Sequence, residues 1–383
     1  MFLIFFIYFS RVISKVFYLF PVKDNKFFFI SYNGRQYACN PKYIFEYIYQ
    51  YYGKKYTYVY CLNDKMNFPG DFTGVTVVKP KSIKCIYHLM TSKFIITNSG
   101  LPSYLSFRKK QMVIDTWHGG GAYKRVGVKY GNKFKHFSII LKLAEKNMTY
   151  FISSSKCFSR NMSESRFYSL EKALPIGMPR NDIFFSSYDV IISKVKNYFN
   201  IPENYGVFLY APTYRGFIEN AVSFADLDVT KTLTALSKRF HKQFVCLFRK
   251  HHLINNHFIG KSIIINASLY PDMQELLCAA DVLLTDYSSS IWDFSFMNKP
   301  CFLYAPDLDS YKAERDFYIP IEQWPFPLAC SIAELENNIL NFDNEKYKKD
   351  IKRHHEELGS YEKGDAIKSL LEIILKEQPL SVE

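Results

Sequence analysis

Beyond residue 21 the chain alternates short apolar runs with longer amphipathic stretches. Residues 26–31 (KFFFIS), 56–62, 74–78, 94–98 and 112–116 read as strands, and 41–52 and 82–90 as helices. The second half repeats the pattern: strands at 208–211, 244–248, 263–266, 282–285 and 301–304, and helices at 230–240, at 273–279 and from Ser290 onward. Short, nearly continuous apolar strands separated by helical periods signal βαβ units and parallel sheets. Between Leu174 and Pro202 lie three prolines and no strong sheet signal, which predicts a hinge. The expectation is an α/β protein of two Rossmann-type domains, 22–185 and 186–383, with an interdomain cleft. A charged helical segment, 346–376, is expected to pack back across the boundary.

The first 21 residues differ. MFLIFFIYFS is followed by Arg11, Ser14, Lys15 and a second apolar stretch ending at Pro21. A secretory signal would place its cations before the apolar run and end in small residues, and this segment does neither. On a helix Ser10, Arg11, Ser14 and Lys15 form one narrow polar stripe beside a wide aromatic and aliphatic surface. Residues 1–21 are therefore expected to form an amphipathic membrane-association helix lying in the interface, its cations at anionic headgroups. Arg11 near mid-bilayer disfavours a spanning anchor.

Composition narrows the classes. The 383 residues carry 49 Lys+Arg against 36 Asp+Glu, net +13, with 48% hydrophobic residues, which excludes a disordered chain and calls for an anionic partner. Eight scattered cysteines without a C-x-x-C pair argue against a disulfide framework or a zinc ribbon and suit buried thiols of a reducing compartment. Neither basic stripes interleaved with stacking aromatics nor a nucleic-acid module is visible, so no nucleic-acid partner is expected.

Three strings carry chemistry. Asp115-Thr116-Trp117-His118-Gly119-Gly120-Gly121-Ala122-Tyr123-Lys124-Arg125 follows a strand. His118 there is suited to general-base work, and the glycine triplet lets backbone N–H groups approach an anion. Leu247-Phe248-Arg249-Lys250-His251-His252 ends another strand, where Arg249 can grip a phosphate and His251 can donate to its oxygen. Thr285-Asp286-Tyr287-Ser288-Ser289-Ser290 opens a helix with hydroxyls, an anion-suited N-terminus, with Asp293 one turn on. Gly177-Met178-Pro179-Arg180-Asn181-Asp182 and Ala211-Pro212-Thr213-Tyr214-Arg215 add two arginines. No H-E-x-x-H or closed zinc spacing occurs, and two chance-prone D-x-D triplets are discounted, so neither metal nor other cofactor is expected.

Together with Ser31-Tyr32-Asn33-Gly34 and Asn40-Pro41-Lys42-Tyr43-Ile44, these strings resemble the CDP-glycerol glycerophosphotransferase family of teichoic-acid and capsule assembly, from about Phe20 to the C-terminal helix. The resemblance implies a GT-B-like fold at the cytoplasmic membrane face and transfer of a polyol phosphate from a CDP-activated donor to a lipid-linked or polymeric acceptor, with release of CMP. It implies His118 as general base and His251 as a charge-stabilising catalytic group. Gly119, Gly120, Gly121, Ala122, Arg180, Pro212, Thr213, Arg249, Lys250, Ser288, Ser289 and Asp293 would line the donor site, with Arg215 a further phosphate contact. Many members read Trp-His-Gly-Thr-Pro-Leu-Lys where this chain has Trp117-His118-Gly119-Gly120-Gly121-Ala122-Tyr123-Lys124, so the loop beside His118 is remodelled. CDP-ribitol transfer and nucleotide-sugar transfer are the enzymatic alternatives. A non-catalytic basic membrane-surface or nucleic-acid binder is the alternative of another class.

Overall fold

The structure, a computed structural model, describes residues 2–121, 123–129, 137–215, 222–223, 227–250 and 264–376. The chain forms two compact units: 1–120, 126–182 and 361–383 make the first, and 121–125 with 183–360 the second.

In the first unit α1 (Phe2–Ser14) precedes β1 (Lys23–Ile30), α2 (Cys39–Tyr52), β2 (Thr57–Cys61), β3 (Thr76–Val78), α3 (Ile83–Thr91), β4 (Ser92–Thr97) and β5 (Met112–Asp115). Then come α4 (Ser138–Asn147), β6 (Tyr150–Ser153), α5 (Lys156–Arg166) and β7 (Ala173–Pro175). The seven strands pair in the order β3-β2-β1-β4-β5-β6-β7, every pair parallel. Phe27, Phe28 and Phe29 point alternately to both faces of β1, and all three are fully buried. That is why a central parallel strand reads as an unbroken apolar run.

The second unit contains α6 (Asp189–Tyr198), β8 (Gly206–Tyr210), the short hairpin β9 (Tyr214–Arg215) and β10 (Val222–Ser223), α7 (Val229–Phe240), β11 (Phe244–Phe248) and β12 (Ile264–Asn266). It continues with α8 (Met273–Ala279), β13 (Val282–Thr285), α9 (Ser290–Ser295), β14 (Cys301–Tyr304), α10 (Leu308–Glu314), β15 (Leu328–Ala329), α11 (Ile332–Leu340) and α12 (Asn344–Leu358). Its sheet is again parallel, ordered β12-β11-β8-β13-β14-β15. Gly359, at φ 64°, ends α12, and the chain returns to the first unit as α13 (Ala366–Leu375).

Among the described residues no helix is long and apolar enough to cross a membrane. In α1 Arg11 and Ser14 point inward, the reverse of the expected orientation of the arginine. Arg11 donates to the carbonyls of Ser103 (2.7 Å) and Leu105 (2.8 Å) and to Asn147 Oδ1 (3.1 Å), and buried Ser14 Oγ accepts from Ser106 N (3.2 Å). The apolar side is therefore outside: Phe5 is 68% exposed, Val12 65% and Leu19 83%. Lys15 is exposed. All eight cysteines are free thiols, seven buried and Cys330 exposed.

Candidate active site

In open parallel sheets ligands bind beyond the carboxyl ends of the strands where the strand order reverses. In the first unit the reversal falls between β1 and β4, and in the second between β8 and β13. The motif residues follow those strands or their neighbours, except residues 177–182, which follow the edge strand β7.

In the first unit β5 ends at Asp115, whose carboxylate takes the Trp117 N–H (3.0 Å) and the Tyr168 hydroxyl (2.6 Å). Burial pushes the Asp115 carboxyl above its ordinary range, against the Tyr168 hydrogen bond. The turn forces Trp117 to φ 53°, costly for a bulky residue and of the kind stored at functional sites. Its ring stacks on His118 (centroids 4.5 Å apart) and lies under the Arg166 guanidinium (4.7 Å). His118 Nδ1 is 2.7 Å from the backbone carbonyl of Asn98, just past β4. A carbonyl only accepts, so this contact assigns the proton to Nδ1 and leaves Nε2 with the lone pair of a base. Asn98 is itself fixed, its Oδ1 accepting from Tyr32 N (2.7 Å) at the end of β1.

Two buried residues hold this loop from below. Asn40 donates through Nδ2 to the carbonyls of Thr116 and Trp117 (3.1 Å each) and accepts from Arg180 N (3.0 Å). Arg180, only 5% exposed, donates through Nη1 to the His118 carbonyl (3.0 Å) and Cys39 Sγ (3.2 Å). Arg180, expected as a phosphate contact, is here a strut under the histidine through Nη1, which holds one backbone carbonyl and one sulfur. Gly119 and Gly120 continue the loop, and Ser154 Oγ donates to the Gly120 carbonyl.

Gly121 opens the segment belonging to the second unit. Tyr123 there is buried and its hydroxyl meets His354 Nε2 at 2.9 Å; its carbonyl accepts from Tyr318 N (2.8 Å). Burial holds His354 down at about 4, so its imidazole is neutral. At the reversal, Asp286 accepts from Thr213 N with both oxygens (3.0 and 3.1 Å) and from Tyr287 N (2.6 Å), locking Pro212-Thr213 to the end of β13. Ser288 and Ser289 are partly exposed beside it. Ser288 Oγ accepts from Ser290 Oγ (2.9 Å), and Ser289 stands at the N-cap of α9 without a side-chain cap. Asp293, expected to face this opening, is 1% exposed, its Oδ2 taking Gln274 Nε2 (3.1 Å). Arg249 is half-buried at the end of β11, its Nη1 anchored on the Tyr270 carbonyl (2.7 Å), and Lys250 N donates to Ser268 Oγ (3.1 Å). His251, Ala122 and the Arg215 side chain lie outside the described residues.

Among the described residues no cluster of three His, Cys, Asp or Glu side chains is disposed to hold a metal. Sequence reasoning missed Asn98, Ser154, Gln274 and Glu362, and quoted Asn40 and Asp286 without a role. Asn98-Ser99-Gly100 is a turn signal at a strand end, a usable sign for the first.

Two parallel α/β units, the first with a braced histidine after β5 and the second with loops after β8, β11 and β13, are an arrangement suited to a group-transfer enzyme that binds a nucleotide. The CDP-glycerol:poly(glycerophosphate) glycerophosphotransferase model matches residues 12–376, and the chain belongs to that family. It is 26% identical over 377 residues to the teichoic acid poly(glycerol phosphate) polymerase of Bacillus spizizenii, covering 95% of both chains. Against the polymerase of that description from Bacillus subtilis it is 28% identical over 86% of its own length but spans only 45% of that protein. A ribitol-phosphate primase of Bacillus spizizenii stands at 27% identity, over 84% of this chain and 83% of its own. The solved wall teichoic acid polymerase TagF, in a histidine-to-asparagine variant soaked with CDPG, superimposes with a TM-score of 0.82 at 26% identity, covering 96% of this chain and 93% of that one.

Proposed function

We propose that the protein is a GT-B-like transferase that moves glycerol phosphate from CDP-glycerol to a hydroxyl of a teichoic-acid-like or capsular acceptor, releasing CMP. The observation that carries this is His118, held by the Asn98 carbonyl with Nε2 left basic, in a chain the family model matches over residues 12–376. Nε2 takes the proton of the acceptor hydroxyl as its oxygen attacks the glycerol-bearing phosphorus in line, and the P–O bond to CMP breaks. Transfer of this kind is mostly positioning and charge stabilisation. Arg249, Lys250, the Thr213 loop and the Ser288-Ser289 hydroxyls are the charge-stabilising set, with His251 as a further donor. The CDPG soak of TagF supports the donor class. The ribitol-phosphate relatives make CDP-ribitol the second donor to try.

The test is nucleotide release, read as CMP from CDP-glycerol and CDP-ribitol and as UDP from UDP-glucose, each donor in turn. Release from CDP-glycerol alone, lost in His118→Ala, is the expected result; turnover by His118→Ala at the wild-type rate refutes the base.

The same reading places the protein at the cytoplasmic membrane face. The support is α1, where Phe5, Phe6, Phe9, Val12 and Ile13 are exposed while the protein satisfies Arg11. An outward apolar surface of this extent calls for a nonaqueous partner.

A further inference from the structure

The last chain segment of the first unit meets the candidate site from a direction the transfer scheme does not use. Tyr361 N donates to the Ser154 carbonyl (2.8 Å), and Ser154 Oγ in turn holds the Gly120 carbonyl. The next residue, Glu362, accepts from Met178 N through Oε2 (3.0 Å) and from Asn181 Nδ2 through Oε1 (3.1 Å). Asp182 completes the grip by accepting from Ala366 N (3.0 Å) and Ile367 N (2.9 Å) at the start of α13. Gly177 shows how close this approach is: at φ +83°, a Cβ there would stand 2.8 Å from Glu362 Oε2 and 3.1 Å from its Cα.

The motif Gly177-Met178-Pro179-Arg180-Asn181-Asp182 thus has two sides. One side is bolted to residues 362–367. From the other, Arg180 reaches the His118 carbonyl and, through its own N–H, Asn40. We propose that Glu362 is a positioning residue for transfer: by clamping this loop it holds Arg180 against the His118 carbonyl and so fixes the base. The inference rests on the transfer reading above. Misplacement of a catalytic group by about 1 Å costs about 100-fold in rate, so a distant clamp acts on kcat. The effect is expected in kcat rather than in donor affinity, because the clamp acts through the backbone under His118.

The test is a double-mutant cycle on the full chain with Glu362→Ala, Arg180→Ala and both. CMP release is measured from CDP-glycerol with a glycerol-phosphate oligomer as acceptor, beside thermal melting and hydrogen exchange of the 116–121 amides. Each single substitution should lower kcat by about 10- to 100-fold, with the KM for CDP-glycerol within about twofold of wild type. The double variant should be no worse than Arg180→Ala within about threefold, since the two act through one contact chain. Amides 116–121 should exchange faster in Glu362→Ala. Multiplicative losses in the double variant, or a folded Glu362→Ala with wild-type kcat, overturn the proposal. Where Glu362→Ala fails to fold, Glu362→Gln replaces it in the cycle, because it keeps the shape while setting a donor against one of two N–H groups. Where the wild-type chain releases no CMP, the transfer reading fails on its own. The exchange data then decide, and unchanged protection at 116–121 in Glu362→Gln overturns the clamp.

Discussion

Asn40 is the most economical place to perturb the candidate site without touching a substrate-facing group. It is fully buried in the first turn of α2 and serves three backbone groups: the Thr116 and Trp117 carbonyls and the Arg180 N–H. Asn40→Ala removes all three bonds and leaves the three groups with one partner fewer in a buried place. At about 1 kcal/mol each the net loss is ~3 kcal/mol, more if no water enters. A unit of this size should melt about 6–12 °C lower. The loss falls on the turn that holds Trp117 at φ 53°, a strain of about 1–3 kcal/mol that its surroundings must over-determine. Released, Trp117 relaxes and carries His118 with it, and transfer should fall about 100-fold. Asn40→Asp sharpens the test: it keeps an oxygen for Arg180 N but sets a carboxylate oxygen against two carbonyls, so it should be no better than alanine. The assays are thermal denaturation and CMP release from CDP-glycerol below the variant's melting point, with circular dichroism confirming the fold. An Asn40→Ala protein that melts within about 1 °C of wild type and transfers at its rate would refute the bracing argument.

Other expectations are more local. Desolvation pushes the Asp182 carboxyl from 3.8 to about 7 despite two backbone donors, so the folded chain keeps a proton that the unfolded chain has lost between those values. Stability from this group therefore falls as pH rises across that window, by at most ~4 kcal/mol, and urea unfolding of Asp182→Asn against wild type at pH 4.5, 6 and 7.5 should show that slope flattened. Asp286→Ala frees the N–H groups of Thr213 and Tyr287. It should raise the KM for CDP-glycerol about 10-fold or more while leaving a first-unit probe, exchange at 116–121, unchanged. Replacing Phe5, Phe9 and Val12 together by Ser removes outward apolar surface only. Binding to phosphatidylglycerol vesicles should drop about 10-fold or more with melting unchanged, and unchanged binding would remove α1 as the membrane contact.

What could be read from residues alone divides along a physical line. Strand β8, most of β13 and the Phe27-Phe28-Phe29 core of β1 were legible because both their faces are buried, so those positions are apolar and no period has to be guessed. Helix α5 was not: Asn161 and Ser165 are buried on the same face as Phe158 and Met162, which erases the apolar stripe. The charged run 346–376 read as one helical segment, whereas Gly359 in the left-handed region splits it and sends α13 to the other unit. At the site the division is between a group's chemistry and its partner. His118 was legible as a candidate, since an imidazole before three glycines at a strand end suits base chemistry beside a close backbone approach. Arg180 carried the same invitation to phosphate, but a guanidinium binds a backbone carbonyl by the same geometry, and only the fold shows which oxygen is there. Arg11 repeats the lesson, because periodicity separates a polar stripe from an apolar one without saying which faces the protein. Glu362 marks the limit. Its partners Met178 and Asn181 lie 184 and 181 positions away in the chain, and no local pattern encodes a contact that two folded segments create only when they meet.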